Sequence, residues 1–311
     1  AAHVALHQHD APGRLGLNLY RPIEAGESEL YLKLYHAGGQ VALSDILPML
    51  EHMGVKVISE GGPFEVTIPG RIEPVWIHDF AMTSRAGVAV DLGRVRQAFQ
   101  EAFLRVWEGR MEDDGFNRLV IRAGLGWREI SMLRAYAKYL RQIRFQFSQD
   151  YMEDTLAGHA AITRLIVRLF QTLHDPDKRA TPGGADEAQV AVNGLLVEID
   201  HALDDVANLD EDRILRRFLN LVRCTLRTNY FQKAEDGGVK PYLSMKLDSR
   251  SVDELPLPRP MVEVWVYSPR VEAIHLRGGK VARGGIRWSD RREDYRTEIL
   301  GLLKAQRVKN V

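Results

Sequence analysis

The spacing of apolar residues between Leu15 and about Asp113 changes repeatedly between a period of two and a helical period. A period of two is typical of strands, and it occurs in LGLNLYRP, ELYLKLYHA, VKVISE, PFEVTI and PVWIHDFAM. Helical spacing occurs in LSDILPMLEHMG, with Ser44 or Asp45 as a cap and Gly54 as a stop, and in DLGRVRQAFQEAFLRVWEGRMEDD. This order predicts a small α+β sandwich with helices on one side of an antiparallel sheet.

A helical pattern extends from about Asn117 to Lys233. Amphipathic stripes at spacings of three and four occur in GWREISMLRAYAKYLRQI, SQDYMEDTLAGH, AAITRLIVRLFQTLH, EAQVAVNGLLVEIDHALDDV and DEDRILRRFLNLVRCTLRTNYF. No repeat of fixed period indicates a solenoid. The pattern therefore predicts a helical bundle.

Strand patterns return from about Pro241, in YLSMKLD, MVEVWVYS and VEAIHLRG. The closing run VARGGIRWSDRREDYRTEILGLLKAQRVKNV then predicts a short strand, a glycine turn and a helix. Asp290 and Glu293 form an Asp-x-x-Glu capping signature, which places the start of that helix near Arg291. The expected fold class is α+β, divided into domains at residues 1–113, 114–240 and 241–311.

The amino-acid composition excludes several classes of function. The 311 residues carry 42 basic and 42 acidic side chains, so no net field attracts nucleic acid or an anionic membrane. An apolar run long enough to span a membrane and a signal-peptide core are both missing, which predicts a cytoplasmic protein. Cys224, the one cysteine, excludes an intrachain disulfide, and its helical apolar context predicts a buried structural thiol.

Glu198 and His201 have the Glu-x-x-His spacing of carboxylate-bridged metal sites. A second copy of this motif is missing from the sequence, so we interpret the segment as a solvated acidic helix face and predict no metal site. Histidines elsewhere fall in different predicted elements without ligand spacing: His36, His52, His78 and His159. We interpret these as packed or surface residues.

Two glycine motifs have structural interpretations. Gly38 and Gly39 precede Gln40 between a predicted strand and a predicted helix, where two glycines suit a tight turn. Gly124 and Gly126 precede a helix but lack the third glycine and the preceding strand of a dinucleotide-binding turn. The sequence therefore predicts a structural turn at the first position and no dinucleotide site at the second.

The closing run carries the strongest chemical signal. Arg283, Gly284 and Gly285 lie where the strand ends, with Arg287 just beyond. Adjacent glycines let a ligand approach the backbone, and an arginine can hold a carboxylate through a bidentate pair, which suits an anionic small molecule. Further cations follow about five helical turns later: Lys304, Arg307 and Lys309. They could meet the far end of a dicarboxylate, or they could simply complement the helix dipole.

The run RGGKVARGGIRWSDRREDYRTEILGLLKAQRVKNV resembles the opening of the catalytic region of the large bacterial NAD-dependent glutamate dehydrogenases. Upstream, WREISMLRAYAKYLRQ, FSQDYMEDTLAGH and SPRVEAIHLRGG resemble helical and pre-catalytic segments of the same subfamily. The region before Asp113 resembles one of its ACT-type modules, which bind amino acids. The resemblance thus implies an ACT-like sheet, a helical region and the start of a catalytic domain.

The resemblance also implies site residues. Four positions match the substrate-binding residues of the family: Arg283, Gly284, Gly285 and Lys309. The first, a lysine in short-chain relatives, would bind one substrate carboxylate, and the last would bind the other. Lys304 is a rival for that second role, and Arg287 is a further possible contact. The catalytic lysine, its acidic partner and the NAD domain are expected beyond Val311, which leaves no catalytic residue within the chain.

The implied activity of the parent enzyme is oxidative deamination of L-glutamate to 2-oxoglutarate and ammonia with NAD. On this hypothesis the isolated chain is inactive, and the enzyme is a homo-oligomer with an amino-acid effector at the ACT-like domain. The alternative is a self-contained amino-acid-sensing or oligomerisation module without catalysis. In that case strands near 30–35 or 75–80 could pair between subunits as exposed sheet edges.

Overall fold

The computed structural model describes residues 15–69, 72–181, 183–280, 284–305 and 311. The chain divides into two units, Ala1–Ile130 and Ser131–Val311. Together the described residues form helices and two antiparallel four-stranded sheets, which confirms the α+β prediction.

The first unit is built on a sheet with the order β1-β2-β4-β3. Its elements are β1 (Leu15–Tyr20), β2 (Glu29–Ala37), α1 (Leu43–His52), β3 (Val55–Val66), β4 (Val75–Ser84), α2 (Leu92–Trp107), a 3-10 helix (Gly115–Arg118) and α3 (Leu119–Ala123). One face of the sheet is apolar because alternate leucines of β1 and β2 are buried, and Phe99 and Phe103 of α2 are buried too. The predicted alternation is confirmed in both strands.

Three expectations for this unit are wrong in detail. The N-cap of α1 is Ala42, which makes no side-chain capping bond, instead of Ser44 or Asp45. VKVISE and PFEVTI form one strand, β3, because its pairing with β4 continues across the Gly-Gly-Pro segment with a shift of register. The strands proposed as exposed edges, β2 and β4, are inner strands; among the described residues β1 and β3 are the outer ones.

Most helices of the chain follow this sheet. They are α4 (Trp127–Gln142), α5 (Gln149–Gly158), α6 (Ala160–His174), α7 (Pro176–Ala180), α8 (Gly184–Asp204) and α9 (Leu209–Cys224). Side-chain caps define several starts: Ser148 accepts from the Tyr151 N–H, and Asn208 accepts from the N–H groups of Asp210 and Glu211. Each of the five predicted amphipathic segments overlaps one of these helices over most of its length.

The second unit contains the other sheet, with the order β5-β6-β7-β8. Its strands are β5 (Thr225–Thr228), β6 (Leu243–Leu247), β7 (Val262–Tyr267) and β8 (Glu272–Arg277), and α10 (Tyr295–Ala305) follows. We expected the helix before this sheet to continue through TLRTNYF, but α9 ends at Cys224 and the β-branched Thr225 begins β5 opposite Leu247.

Cys224 is buried, and its Sγ lies 3.0 Å from the Ser251 carbonyl oxygen. Burial, the largest cause, raises the pKa of the thiol to about 11. A neutral buried thiol is a weak nucleophile. The prediction of a structural cysteine is confirmed.

The closing helix begins at Tyr295 instead of near Arg291. The predicted capping residues are engaged elsewhere: Asp290 Oδ1 accepts from the Trp288 indole at 3.3 Å, and Glu293 Oε1 pairs with Arg141 at 2.5 Å. The chain turns before the helix instead, with the Ser289 hydroxyl accepting from the Arg291 N–H at 3.2 Å. Because the capping box is not formed, the helix starts later.

Candidate substrate-binding segment

The segment from Gly284 to Ala305 lies beside the second sheet. Leu276 of β8 packs with Ile299 and Leu300 of α10, and all three are buried. Leu276 also exchanges two backbone hydrogen bonds with Val311, at 2.8 and 3.1 Å. Apolar contact therefore fixes the inner face of α10 on β8.

A buried ion pair fixes the start of the same helix. The side chains of Arg296 and Glu263 are 1% and 0% exposed. The guanidinium donates to the carboxylate through both Nε and Nη2, and the Nε–Oε2 distance is 2.8 Å. The Tyr139 hydroxyl donates to the same carboxylate at 2.9 Å. We call Tyr139, Glu263 and Arg296 the buried cluster. It joins α4, β7 and α10 through charge-assisted hydrogen bonds.

Burial and charge set the protonation of this cluster. Burial, followed by the negative charge of Glu263, raises the pKa of Tyr139 well above its usual range. Burial opposes the charge on Arg296, but hydrogen bonding and attraction to Glu263 outweigh it and raise the pKa of the guanidinium. The cluster is therefore a neutral phenol beside a charged pair.

Gln142, at the end of α4, holds the turn before α10 through both ends of its amide. Its Oε1 accepts from the Arg296 N–H at 3.1 Å, and its Nε2 donates to the Arg292 carbonyl at 2.9 Å. Arg141 reaches the neighbouring Glu293. The C-terminal turn of α4 thus positions the backbone that enters α10.

The predicted glycine turn is open to solvent. Gly284 and Gly285 are exposed, and a Cβ built on Gly285 would meet no atom within 4 Å. Ile286 and Trp288 are exposed as well, which is unusual for large apolar side chains so close together. The backbone here has the room that a close-approaching ligand needs.

Arg287 already has a carboxylate partner. Its Nε lies 2.9 Å from Glu298 Oε1, while the other oxygen of Glu298 accepts from the Ser289 hydroxyl at 2.6 Å. The hydrogen bond from Ser289, then that from Arg287, lowers the pKa of Glu298. Because 57% of the Arg287 side chain is exposed, its guanidinium remains accessible to a second anion.

The remaining predicted site residues are Lys304, Arg283 and Lys309. Lys304 is exposed near the end of the described part of α10, and the expected spacing of about five turns to the last of the cations extends past that part. Arg283 and Lys309 lie outside the described residues. The structure therefore brings Gly284, Gly285 and Arg287 together and leaves the two matched carboxylate-binding cations as predictions.

Other sequence motifs have structural roles. Gly38 occupies a turn at φ +95°, and Gly124 ends α3 in the left-handed conformation. The Gly126 N–H donates to the Glu129 carboxylate, with an N–Oε2 distance of 2.7 Å, so this N–H does not point to a phosphate site. Within the described parts of the chain no group of metal-ligating side chains is large enough for a metal site, and no helix could span a membrane.

Sequence reasoning missed the buried cluster, although β7 contained a signal for it. Alternation along VEVWVY places Glu263 on the same face as Trp265 and Tyr267, and all three are buried. A glutamate among buried aromatic residues needs a partner. Its partners could not be chosen from sequence, because Tyr139 and Arg296 are 124 and 33 residues away.

Family models match three successive stretches of the chain. Residues 14–95 match the ACT3 domain of glutamate dehydrogenase, and residues 111–176 match helical motif 3 of glutamate dehydrogenase. Residues 198–311 match the catalytic domain of bacterial NAD-glutamate dehydrogenase. An ACT-type domain, a helical motif and catalytic-domain sequence in this order define a segment of a glutamate dehydrogenase.

Three curated relatives, each named NAD-specific glutamate dehydrogenase, agree with this class. The Halomonas elongata protein is 49% identical over 99% of the chain, the Pseudomonas aeruginosa protein 47% over 95%, and the Mycobacterium tuberculosis protein 49% over 88%. The chain spans 17–18% of the length of these relatives. The chain belongs to the bacterial NAD-glutamate dehydrogenase family, as the resemblance in its sequence predicted.

Proposed function

We propose that these residues serve in an NAD-dependent glutamate dehydrogenase that converts L-glutamate to 2-oxoglutarate and ammonia. The observation that carries the proposal is the continuous similarity to proteins of that name, at 47–49% identity across 88–99% of the chain. The part played by this chain is then regulatory and structural, together with the first contacts to substrate. The domain limits 113 and 240 belong to the same proposal.

In the proposed site, Arg283 holds one carboxylate of the substrate as a bidentate pair, and Gly284 and Gly285 let the substrate approach the backbone. Lys309 holds the second carboxylate, with Lys304 as the rival position. Arg287 adds positive charge at the mouth of the turn, already oriented by Glu298. Two cations placed to match two carboxylates would select a dicarboxylate over a monocarboxylate.

NAD is the proposed cofactor of the whole enzyme, and the residues here do not fit its binding site. The sequence contains no Gly-x-Gly-x-x-Gly motif. In the nearest candidate, Gly124 ends a helix and the Gly126 N–H donates to Glu129. We therefore assign cofactor binding and the catalytic lysine to other residues of the enzyme. The chain by itself is expected to be inactive.

Regulation and assembly complete the proposal. Similarity of residues 14–95 to an ACT3 domain supports an amino-acid effector at the first sheet. The enzyme is proposed to be a cytoplasmic homo-oligomer, as the sequence analysis predicts. Since the inner strands β2 and β4 are already paired on both sides, pairing between subunits would use β1 or β3.

The test uses the full-length enzyme that contains this chain and follows glutamate-dependent formation of NADH. Arg283→Gln should raise the KM for glutamate about tenfold or more, because a charge-assisted pair is lost. Arg283→Lys should restore much of the loss, since a point charge remains. Lys280→Gln, which removes a cation three residues away, is the matched control and should change little.

Two outcomes would contradict the proposal. An enzyme that reduces no NAD with glutamate would refute the activity itself. An active enzyme whose KM is unchanged in Arg283→Gln would refute the assignment of the substrate site while leaving the activity intact.

A further inference from the structure

A small cavity of about 90 Å³ lies at the C-terminal end of α4. It is lined by Ile143, Arg144, Phe145, Gln146, Arg217 and Glu254. A water molecule occupies roughly 30 Å³ of the liquid, whereas pockets for drug-sized ligands measure about 300–1,000 Å³. The cavity therefore suits a few water molecules or an anion of a few heavy atoms.

Arg217 brings a nearly buried cation to this cavity. Its side chain is 8% exposed, its Nη2 lies 2.5 Å from Glu254 Oε2, and its Nη1 donates to the Asp253 carbonyl. The guanidinium also stands 5.2 Å from the ring centroid of Phe145. The Glu254 side chain is 67% exposed, so a buried cation is matched by a carboxylate that solvent can reach.

Arg144 also lines this cavity, and its backbone is strained. Its φ is +63°, and the bonds Arg144 N–H to Arg141 O and Phe145 N–H to Leu140 O make it the left-handed residue that ends α4. Glycine is usual at this position, because a side chain is disfavoured at positive φ. The backbone alone would favour glycine, so the advantage of arginine lies in its side chain.

A second residue that lines the cavity also has a strained backbone. Glu254 has a φ of +54°, and among the described residues it and Arg144 are the two non-glycine residues at positive φ. Both line the same cavity. Strained residues that persist in a fold cluster at ligand sites, because their side chains must be held in a particular place.

We infer that this cavity binds a small oxyanion at the guanidinium group of Arg217, with Arg144 as a second cation among the lining residues, in competition with the Glu254 carboxylate. The ligand is inorganic phosphate or a single carboxylate group of an organic acid, since both present oxygen atoms that match the guanidinium fork. Arg144 has spare capacity for it: the ion pair that the structure gives this residue, with Asp294, is long at 3.7 Å. The inference does not depend on the dehydrogenase activity.

The test is titration of the 311-residue chain with inorganic phosphate and, separately, with acetate, at constant ionic strength, followed by calorimetry. Saturable binding is expected. Arg144→Gly removes the cation while relieving the backbone strain, so the fold should be retained and affinity should fall about tenfold or more. Glu254→Gln removes the competing carboxylate and should raise affinity several-fold.

A matched control is Arg213→Gln, which removes an exposed cation from the same helix as Arg217 but outside the cavity; its binding should equal that of the unmodified chain. Binding of phosphate alone would identify phosphate as the ligand class, binding of acetate alone would identify a carboxylate group, and binding of both probes would indicate a site for small oxyanions in general. The inference is overturned if neither probe saturates, if Arg144→Gly binds as tightly as the unmodified chain, or if Glu254→Gln weakens binding.

Discussion

Each unit of the molecule contains a cluster made of a tyrosine hydroxyl, a carboxylate and a cation, but the two clusters lie in different environments. The surface cluster consists of Tyr20, Lys33 and Asp79 on β1, β2 and β4; the buried cluster consists of Tyr139, Glu263 and Arg296. In the surface cluster the cation and carboxylate are 34% and 25% exposed, whereas in the buried cluster they are 1% and 0% exposed.

The difference follows from which face of each sheet is covered. Leu19, Leu32 and Phe80 of the first sheet point to the buried face, so their neighbours Tyr20, Lys33 and Asp79 point to the other face. On β7, in contrast, the charged residue Glu263 lies on the buried face of the sheet. We therefore expect two clusters of similar composition to stabilise the fold to very different degrees, because water can replace a lost partner only in the exposed one.

The largest loss in the free energy of unfolding is expected from Arg296→Met. This change leaves Glu263 buried without its cation, and breaking such a pair costs about 3–5 kcal/mol. Urea denaturation of the chain should show this loss in the free energy of unfolding.

The double variant Glu263→Leu with Arg296→Met serves as the control for charge. It removes both charges, so it should be much less destabilised than Arg296→Met alone. Equal destabilisation of the single and double variants would show that the pair acts only through packing volume.

The second expected effect is a change in how folded stability depends on pH in alkaline solution. The pKa of Tyr139 is raised by burial, so the unfolded chain loses this proton first, near pH 10, and folded stability falls as pH rises further, by about 1.4 kcal/mol per pH unit. Tyr139→Phe should reduce that slope between pH 10 and 11, measured by urea denaturation at each pH. An unchanged slope would mean that this hydroxyl ionises in the folded state.

A smaller loss in the free energy of unfolding is expected from Lys33→Met in the surface cluster. Burial lowers the pKa of Lys33, but its hydrogen bonds to Asp79 and Tyr20 raise it overall, so its contribution is present at neutral pH and is lost as pH rises through the raised value. Because the groups are partly exposed, the loss at pH 7 should be about 0–1 kcal/mol and should shrink in high salt. A loss as large as that of Arg296→Met would contradict the comparison.

The smallest effect on stability is expected from Gly285→Ala. A Cβ at this position meets open space, so the free energy of unfolding should change by less than about 0.5 kcal/mol. In the full-length enzyme, however, the added methyl group should raise the KM for glutamate, because it stands where the substrate is proposed to approach. Gly124→Ala is the contrasting control, since its backbone is left-handed and its Cβ would lie 2.6 Å from Arg94 Nε.

Local patterns predicted most of the fold, because alternation and helical spacing depend on neighbours in the sequence. They placed the start of α10 too early, since Asp290 and Glu293 have the right spacing for a cap but bond to Trp288 and Arg141. The edges of the first sheet were assigned to its inner strands, because strand order is set by long-range pairing. The substrate residues came from resemblance, and periodicity alone left the cations near the end of α10 equally suited to the helix dipole.

We expect the buried cluster to hold in place the segment that carries the proposed substrate contacts. Hydrogen exchange of the Arg296→Lys variant tests it directly, since lysine keeps the charge but loses the bidentate fork. Arg216→Lys, which alters an exposed ion pair on α9, is the control. Amides of α10 should exchange about tenfold faster or more in Arg296→Lys, while those of β6 and β7 stay protected. Unchanged protection of α10 would contradict it.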